Sequence, residues 1–136
     1  MSYISAFLRR LAIRRAKNRC EYCRLSQVGQ EATFHIDHII PVNADGQTIA
    51  DNLALACVSC SLRKAARQTS IDPQTNQKVA LFHPRQERWT DHFYWEGPEI
   101  IGLTPTGRAT IAALDMNRKL ILAIRVEEIL LGRHPN

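Results

Sequence analysis

The 136-residue chain contains no run of about 18 consecutive apolar residues, the length a bilayer-spanning helix needs, so no membrane span is expected. It contains no internal repeat and no low-complexity stretch. The segment from Met1 to Arg19 lacks the unbroken apolar core and small-residue cleavage site of a secretion signal, because arginines interrupt its apolar residues. A cytoplasmic location is the expected default. Between Met1 and Cys20 there is also no acidic residue, whereas Arg9, Arg10, Arg14, Arg15, Lys17 and Arg19 all fall there. On a chain of formal net charge +5 this concentrates positive field at one end. A polyanion is the natural partner of such a field, and a solvated helix face is the plainer reading of the same charges.

What is present begins with 45% hydrophobic residues, enough to build a core for one globular domain spanning residues 1–136. Ile4, Phe7, Leu8, Leu11 and Ala12 recur at three and four, which predicts an amphipathic helix over Ile4 to Ala16 with the arginines on its other side. Thr33 to His38 alternates as a strand does, and Pro41 with Asn43-Ala44-Asp45-Gly46 marks a loop before a second short strand, Leu53 to Ala56. A helix is expected from about Ser59 to Gln68. Ile71-Asp72-Pro73 reads as a turn, and the segment from Val79 through Trp89, Phe93, Tyr94 and Trp95 is ambiguous between strand and helix; the aromatic residues are assigned to packing. Thr104-Pro105 caps a helix running toward Asn117, and a last helix spans about Leu120 to Leu131, followed by Gly132 and Pro135. Its wide apolar surface, with Leu120, Ile121, Ile124, Ile129 and Leu130, is expected to complete the core, with a dimer interface as the alternative; the chain is therefore read as a monomer or a homodimer.

All four cysteines fall in two pairs of identical spacing, Cys20-Glu21-Tyr22-Cys23 and Cys57-Val58-Ser59-Cys60, with none left over. Two C-x-x-C knuckles supply four thiolates to a tetrahedral Zn2+ ion, so a structural zinc site is expected. Two disulfides and a redox pair are the competing readings; neither an oxidising compartment nor a need for two pairs supports them. A zinc ion with four thiolates has no open position, so any catalysis must use another ion.

Between and beside the knuckles stand His35-Ile36-Asp37-His38-Ile39-Ile40-Pro41, Asp51-Asn52-Leu53 and Cys60-Ser61-Leu62-Arg63-Lys64. This arrangement resembles the HNH endonuclease family, in its zinc-knuckle form. The resemblance covers roughly Cys20 to Gln68, and the less specific motifs downstream, Leu81-Phe82-His83-Pro84-Arg85 and Leu103-Thr104-Pro105-Thr106-Gly107, resemble free-standing bacterial members. It implies an α+β fold: a ββα-metal (His-Me finger) core at about residues 20–68, stabilised by the four-cysteine zinc site, with an added N-terminal helix and a helical C-terminal extension at about residues 69–136.

The resemblance also implies a metal-dependent enzyme that hydrolyses phosphodiester bonds in DNA by nicking or cleavage. His38 would be the general base, since imidazole titrates near neutral pH and can take a proton from the attacking water. Asp37, beside it and pointing to the opposite strand face, would bind a catalytic divalent ion such as Mg2+. Asn52 would fasten the loop between the strands and hold His38 in orientation. Lys64 and Arg63 would contact phosphate from the helix, with Arg14 and Arg15 adding DNA contacts from the basic end. Ser61 departs from the pattern, standing where the family presents a histidine or asparagine as second metal ligand. It would bind weakly or through water, or else His35, on the same strand face as Asp37, replaces the missing ligand. A zinc-dependent DNA-binding module weakened in catalysis by Ser61 is the alternative function.

Overall fold

Ser5 starts the first helix: its Oγ accepts the Leu8 N–H at 3.1 Å, satisfying one of the donors a helix start leaves free. In the computed structural model, which describes residues 3–135, this helix is α1 (Ala6–Arg15), followed by β1 (His35–His38), β2 (Leu53–Ala56) and α2 (Val58–Lys64). Then come β3 (Thr69–Ile71), β4 (Lys78–Ala80), α3 (Trp89–His92), β5 (Phe93–Glu96), β6 (Glu99–Gly102), α4 (Pro105–Leu114) and α5 (Lys119–Leu130). Among the described residues the strands form three separate antiparallel pairs, β1 with β2, β3 with β4 and β5 with β6. The class is α+β, with a ββα unit formed by β1, β2 and α2.

β1 and β2 pair in the register His35 with Ala56, Ile36 with Leu55, Asp37 with Ala54 and His38 with Leu53. β2 is buried along its whole length, with small alanines alternating with leucines, because α1 packs on it and α2 follows directly from it. The chain between β1 and β2 closes as a loop on Gly46: a Cβ there would lie 1.7 Å from the Ile40 carbonyl oxygen, so no other residue fits the close approach. The turn composition read at Asn43 to Gly46 thus has a steric cause.

α2 is shorter than the helix expected to Gln68. It stops at Lys64, where Ala65 turns to φ 48°, and the chain leaves toward β3. The ambiguous segment from Val79 to Trp95 resolves into the end of one hairpin at β4, the helical turn α3 and the first strand of another hairpin, β5. The β3–β4 hairpin is closed by Asp72, whose Oδ1 accepts the Gln74 N–H and whose Oδ2 accepts the Thr75 hydroxyl. Arg108 of α4 grips the same carboxylate through Nε at 3.0 Å and Nη2 at 2.9 Å. α4 starts as expected on Thr104, whose Oγ1 accepts the Gly107 N–H. α5 differs from the expectation: Ile121 and Arg125 are its buried residues, while Leu120, Ile129 and Leu130 are exposed, so most of its apolar surface does not join the core. The buried cluster runs from Ala16 and the four cysteines through Phe82, Trp89 and Phe93 to Leu114, Met116 and Ile121, joining the knuckles to the downstream half. No helix among the described residues is long and apolar enough to cross a membrane.

Candidate active site and metal centre

The four sulfurs come together. The ligand atoms of Cys20, Cys23, Cys57 and Cys60 all lie within 4.8 Å of one another, and all four residues are buried. Cys23 Sγ and Cys57 Sγ are 3.7 Å apart, the edge expected of a sulfur tetrahedron around zinc (about 3.8 Å for a zinc–sulfur distance of about 2.3 Å) and nearly twice a disulfide bond. Each knuckle turns identically: the N–H of Cys23 points to Cys20 Sγ at 3.5 Å and that of Cys60 to Cys57 Sγ at 3.4 Å. Hydrogen bonds from Cys20, Cys23 and Cys60 pull the Cys57 thiol far below the ordinary thiol range, while burial pushes Cys20 up and hydrogen bonding to the other sulfurs pushes Cys60 up. Such a set ionises fully only around a cation, and the residues are positioned to form a zinc site.

The knuckle is bonded to the hairpin it supports. Glu21 pairs with Leu55 of β2 twice, through its own N–H to the Leu55 carbonyl and through Oε2 to the Leu55 N–H, both at 2.9 Å. Its other oxygen is ion-paired with Arg85. Tyr22, fully buried, donates its hydroxyl to Asp37 Oδ2 at 3.1 Å, so the first knuckle reaches the candidate catalytic carboxylate directly.

β1 and α2 lie against each other, and two contacts define the match. His35 Nδ1 is 2.8 Å from Ser61 Oγ, and Asp37 Oδ2 is 3.1 Å from Lys64 Nζ. Residues two apart on a strand share a face, as do residues three apart on a helix, so the pairs stack as two rungs between the elements. Lys64 is 2% exposed, and its ammonium also donates to the carbonyls of His38 at 3.3 Å and Ile39 at 3.0 Å. Three donors meet three acceptors, leaving none for a phosphate. The expectation that Lys64 contacts DNA is therefore corrected: it is the buried partner of Asp37 and fixes the end of β1. Burial pushes the Asp37 carboxyl up, and Lys64, Tyr22 and His38 pull it back down. Both the Tyr22 and Lys64 bonds fall on Oδ2, leaving Oδ1 outside them.

His38 closes β1 and is half-buried. Its Nε2 lies 2.9 Å from Thr48 Oγ1, on the loop between the strands. Asn52, buried, ties that loop: its Oδ1 accepts the Ile40 N–H at 2.8 Å, and its Nδ2 donates to the carbonyls of Ile40 at 3.0 Å and Gln47 at 2.9 Å. Asn52 therefore touches the loop carrying Thr48 and not the imidazole itself. His35, Asp37, His38 and Ser61 line one open cleft of about 390 Å³, closed on its other side by Pro41, Val42 and Asn43. Asp37 and His38 alternate along the strand, yet both residues are among those that line this cleft.

The remaining expected contacts are dispersed. Arg63 is exposed, with Nε on Ser59 Oγ at 3.2 Å and Nη2 3.7 Å from Asp115. Arg14 is exposed on α1, but Arg15 turns inward and donates Nη2 to the Leu53 carbonyl at 2.7 Å, so one of its donors serves the start of β2. Sequence reasoning missed Tyr22 and Thr48. Both reach the site across the fold, and no spacing rule connects them to Asp37 or His38.

A family model described as HNH endonuclease matches residues 20–67, the span that holds both knuckles, the β1–β2 hairpin and α2. No curated protein and no solved structure matches the chain significantly.

Proposed function

We propose that this chain, whose residues 20–67 match a family model described as HNH endonuclease, hydrolyses phosphodiester bonds in DNA with the aid of a divalent cation. The observation carrying the reading is that Asp37 and His38 border one open cleft at the end of a hairpin braced by four converging cysteines. In this reading the cysteines hold Zn2+ and stay out of the chemistry. His38 accepts the proton of the attacking water, and Thr48 fixes the ring at Nε2. Asn52 holds the loop that carries Thr48, and so acts on His38 at one remove. A divalent cation such as Mg2+ supplies charge neutralisation at the phosphate and the departing oxygen. Asp37, its Oδ2 steadied by Tyr22 and Lys64, offers Oδ1 as the carboxylate ligand. His35 takes the place of the missing second ligand. With Nδ1 bonded to Ser61 its Nε2 is the free nitrogen, and Ser61 orients the ring, as partners of metal-bound imidazoles commonly do.

Purified protein incubated with supercoiled plasmid and Mg2+ or Mn2+ is expected to nick it, and His38→Ala to be at least about 100-fold slower. Equal nicking by both proteins would remove His38 from the mechanism. The second reading, a zinc-dependent DNA-binding module weakened in catalysis, is favoured by Ser61 at the closing-ligand position. Ser61→Asn separates the two: if it turns an inert protein into a nuclease, the second reading holds for the natural chain.

A further inference from the structure

α1 has two unlike sides. Its inner side packs on β2, with Ala12 buried and Leu8, Leu11 and Ile13 half-buried, and Arg15 reaches inward to the Leu53 carbonyl. Leu53 is the residue paired with His38, so the end of α1 is fastened to the hairpin end that carries the candidate base. The outer side stays uncovered. Phe7, Arg10 and Arg14, spaced by three and four, share it, and all three are exposed. Phe7 is 63% exposed, and Tyr3, just ahead of the Ser5 cap, is 84% exposed.

The charges on this helix are not balanced within the molecule. Between Met1 and Cys20 the chain has no acidic residue. Among the described residues the side chains of Arg9, Arg10 and Arg14 have no ion pair or hydrogen bond, and neither Phe7 nor Tyr3 meets another ring. By contrast Arg63, Arg108 and Arg133 each stand by a carboxylate. A surface that serves solubility alone intersperses both signs of charge. Unpaired guanidiniums beside bare apolar surface instead match a polyanion that presents apolar surface between its charges, as duplex DNA does with deoxyribose between phosphates. An anionic membrane fits less well. A helix lying on lipid turns an apolar side to the acyl chains, and α1 has buried that side against β2.

We infer that the outer side of α1 docks duplex DNA, with Arg10 and Arg14 on backbone phosphates and Phe7 against the sugars between them. The inference rests on the DNA reading of the chain but not on His38 as the base.

Full-length, zinc-loaded His38→Ala protein is titrated against a fluorescently labelled duplex of about twenty base pairs at several salt concentrations, with anisotropy as the readout. Arg10→Gln combined with Arg14→Gln is expected to weaken binding at least about tenfold and to flatten the slope of log affinity against log salt by about 1.8, the share of two phosphate contacts on B-DNA. Lys78→Gln combined with Lys119→Gln removes the same charge from exposed positions elsewhere and should change affinity by less than about twofold. Phe7→Ser should weaken binding at least about threefold and leave the salt slope unchanged. The inference is overturned if the two double variants lose affinity equally, because net charge would then account for binding. It is equally overturned if the α1 variants bind duplex as the parent does, including where they release the protein from phosphatidylserine vesicles. A chain with intact His38 that fails to nick plasmid, while its duplex binding depends on α1 in this way, sinks the catalytic reading alone.

Discussion

Lys64 illustrates how far one side chain can depart from the role its position suggests. As a cation near the end of a helix beside a candidate nuclease motif, it reads from sequence as a phosphate contact. The fold instead buries it against Asp37 and two carbonyls of β1. Replacing it with methionine keeps most of the volume but strands the carboxylate without its cation, and removing one partner of a buried pair costs about 3–5 kcal/mol. Lys64→Met is therefore expected to lower the urea midpoint sharply, whereas Arg63→Met, one position away and exposed, should stay within about 0.5 kcal/mol of the parent. Comparable losses for the two would show that the pair is not buried in solution. His38, Asp37 and the cysteines were legible because chemistry at a fixed spacing is a local signal. Tyr22 and Thr48 were not, because each is set by a contact between distant parts of the chain, ordinary in the linear text and specific only once packed.

Among the elements, those with end signals were readable and those held by pairing were less so. Thr104 marks a helix start through a side-chain oxygen that accepts the Gly107 N–H, and α4 forms there, whereas the apolar period alone predicts α1 and its cap, Ser5, emerges only in the fold. The β3–β4 and β5–β6 hairpins carry strands of three and four residues, too short for alternation to stand out. α5 read as an apolar face, yet the residue that anchors it is Arg125, 4% exposed. Its guanidinium donates to the carbonyls of Cys23, Met116 and Pro98 and to Asn117 Oδ1. Arg125→Met strips the three carbonyls of this donor, while Asn117 Oδ1 keeps the Ile100 N–H, and should cost about 3 kcal/mol, read as a lowered unfolding midpoint. The β3–β4 hairpin makes a pH-dependent statement of its own. The Arg108 fork holds the Asp72 carboxyl well below the usual carboxylate range, so its folded pKa lies beneath its unfolded value of about 3.9. The stabilisation is then present above about pH 4 and is lost as pH falls toward the folded value. Urea midpoints of Asp72→Asn and the parent should differ at neutral pH and converge below about pH 4. A constant gap across that range would deny the pair its ionic character. Comparing the two proteins at each pH removes the separate effect of acid on the cysteines.

For the whole molecule, the four-cysteine centre is the point on which distant segments converge. Cys20 and Cys23 lie just beyond the basic helix, Cys57 and Cys60 at the start of α2, and Arg125 bonds the Cys23 carbonyl from the last helix. A zinc ion with four thiolates retains roughly two net negative charges, and Arg24, Arg118 and Arg125 sit where the sulfurs act on each of them. Burial lowers Arg125 and the neighbouring sulfurs pull it back up, so cluster and cations depend on one another. Removing the metal should consequently do more than open the knuckles: with like-charged guanidiniums around a buried cysteine cluster that is no longer fully ionised, the contact between the Cys23 turn and α5 loses much of its electrostatic basis. Metal analysis is expected to find one zinc per chain. A strong chelator should lower the thermal midpoint and raise amide exchange in both α2 and α5, although α5 contributes no ligand. Cys57→Ser should reproduce that pattern without chelator. If exchange rose only around the cysteines and α5 stayed protected, the last helix would be held independently of the metal, and Arg125 would be an anchor for α5 through its carbonyl partners rather than part of the charge balance around the sulfurs.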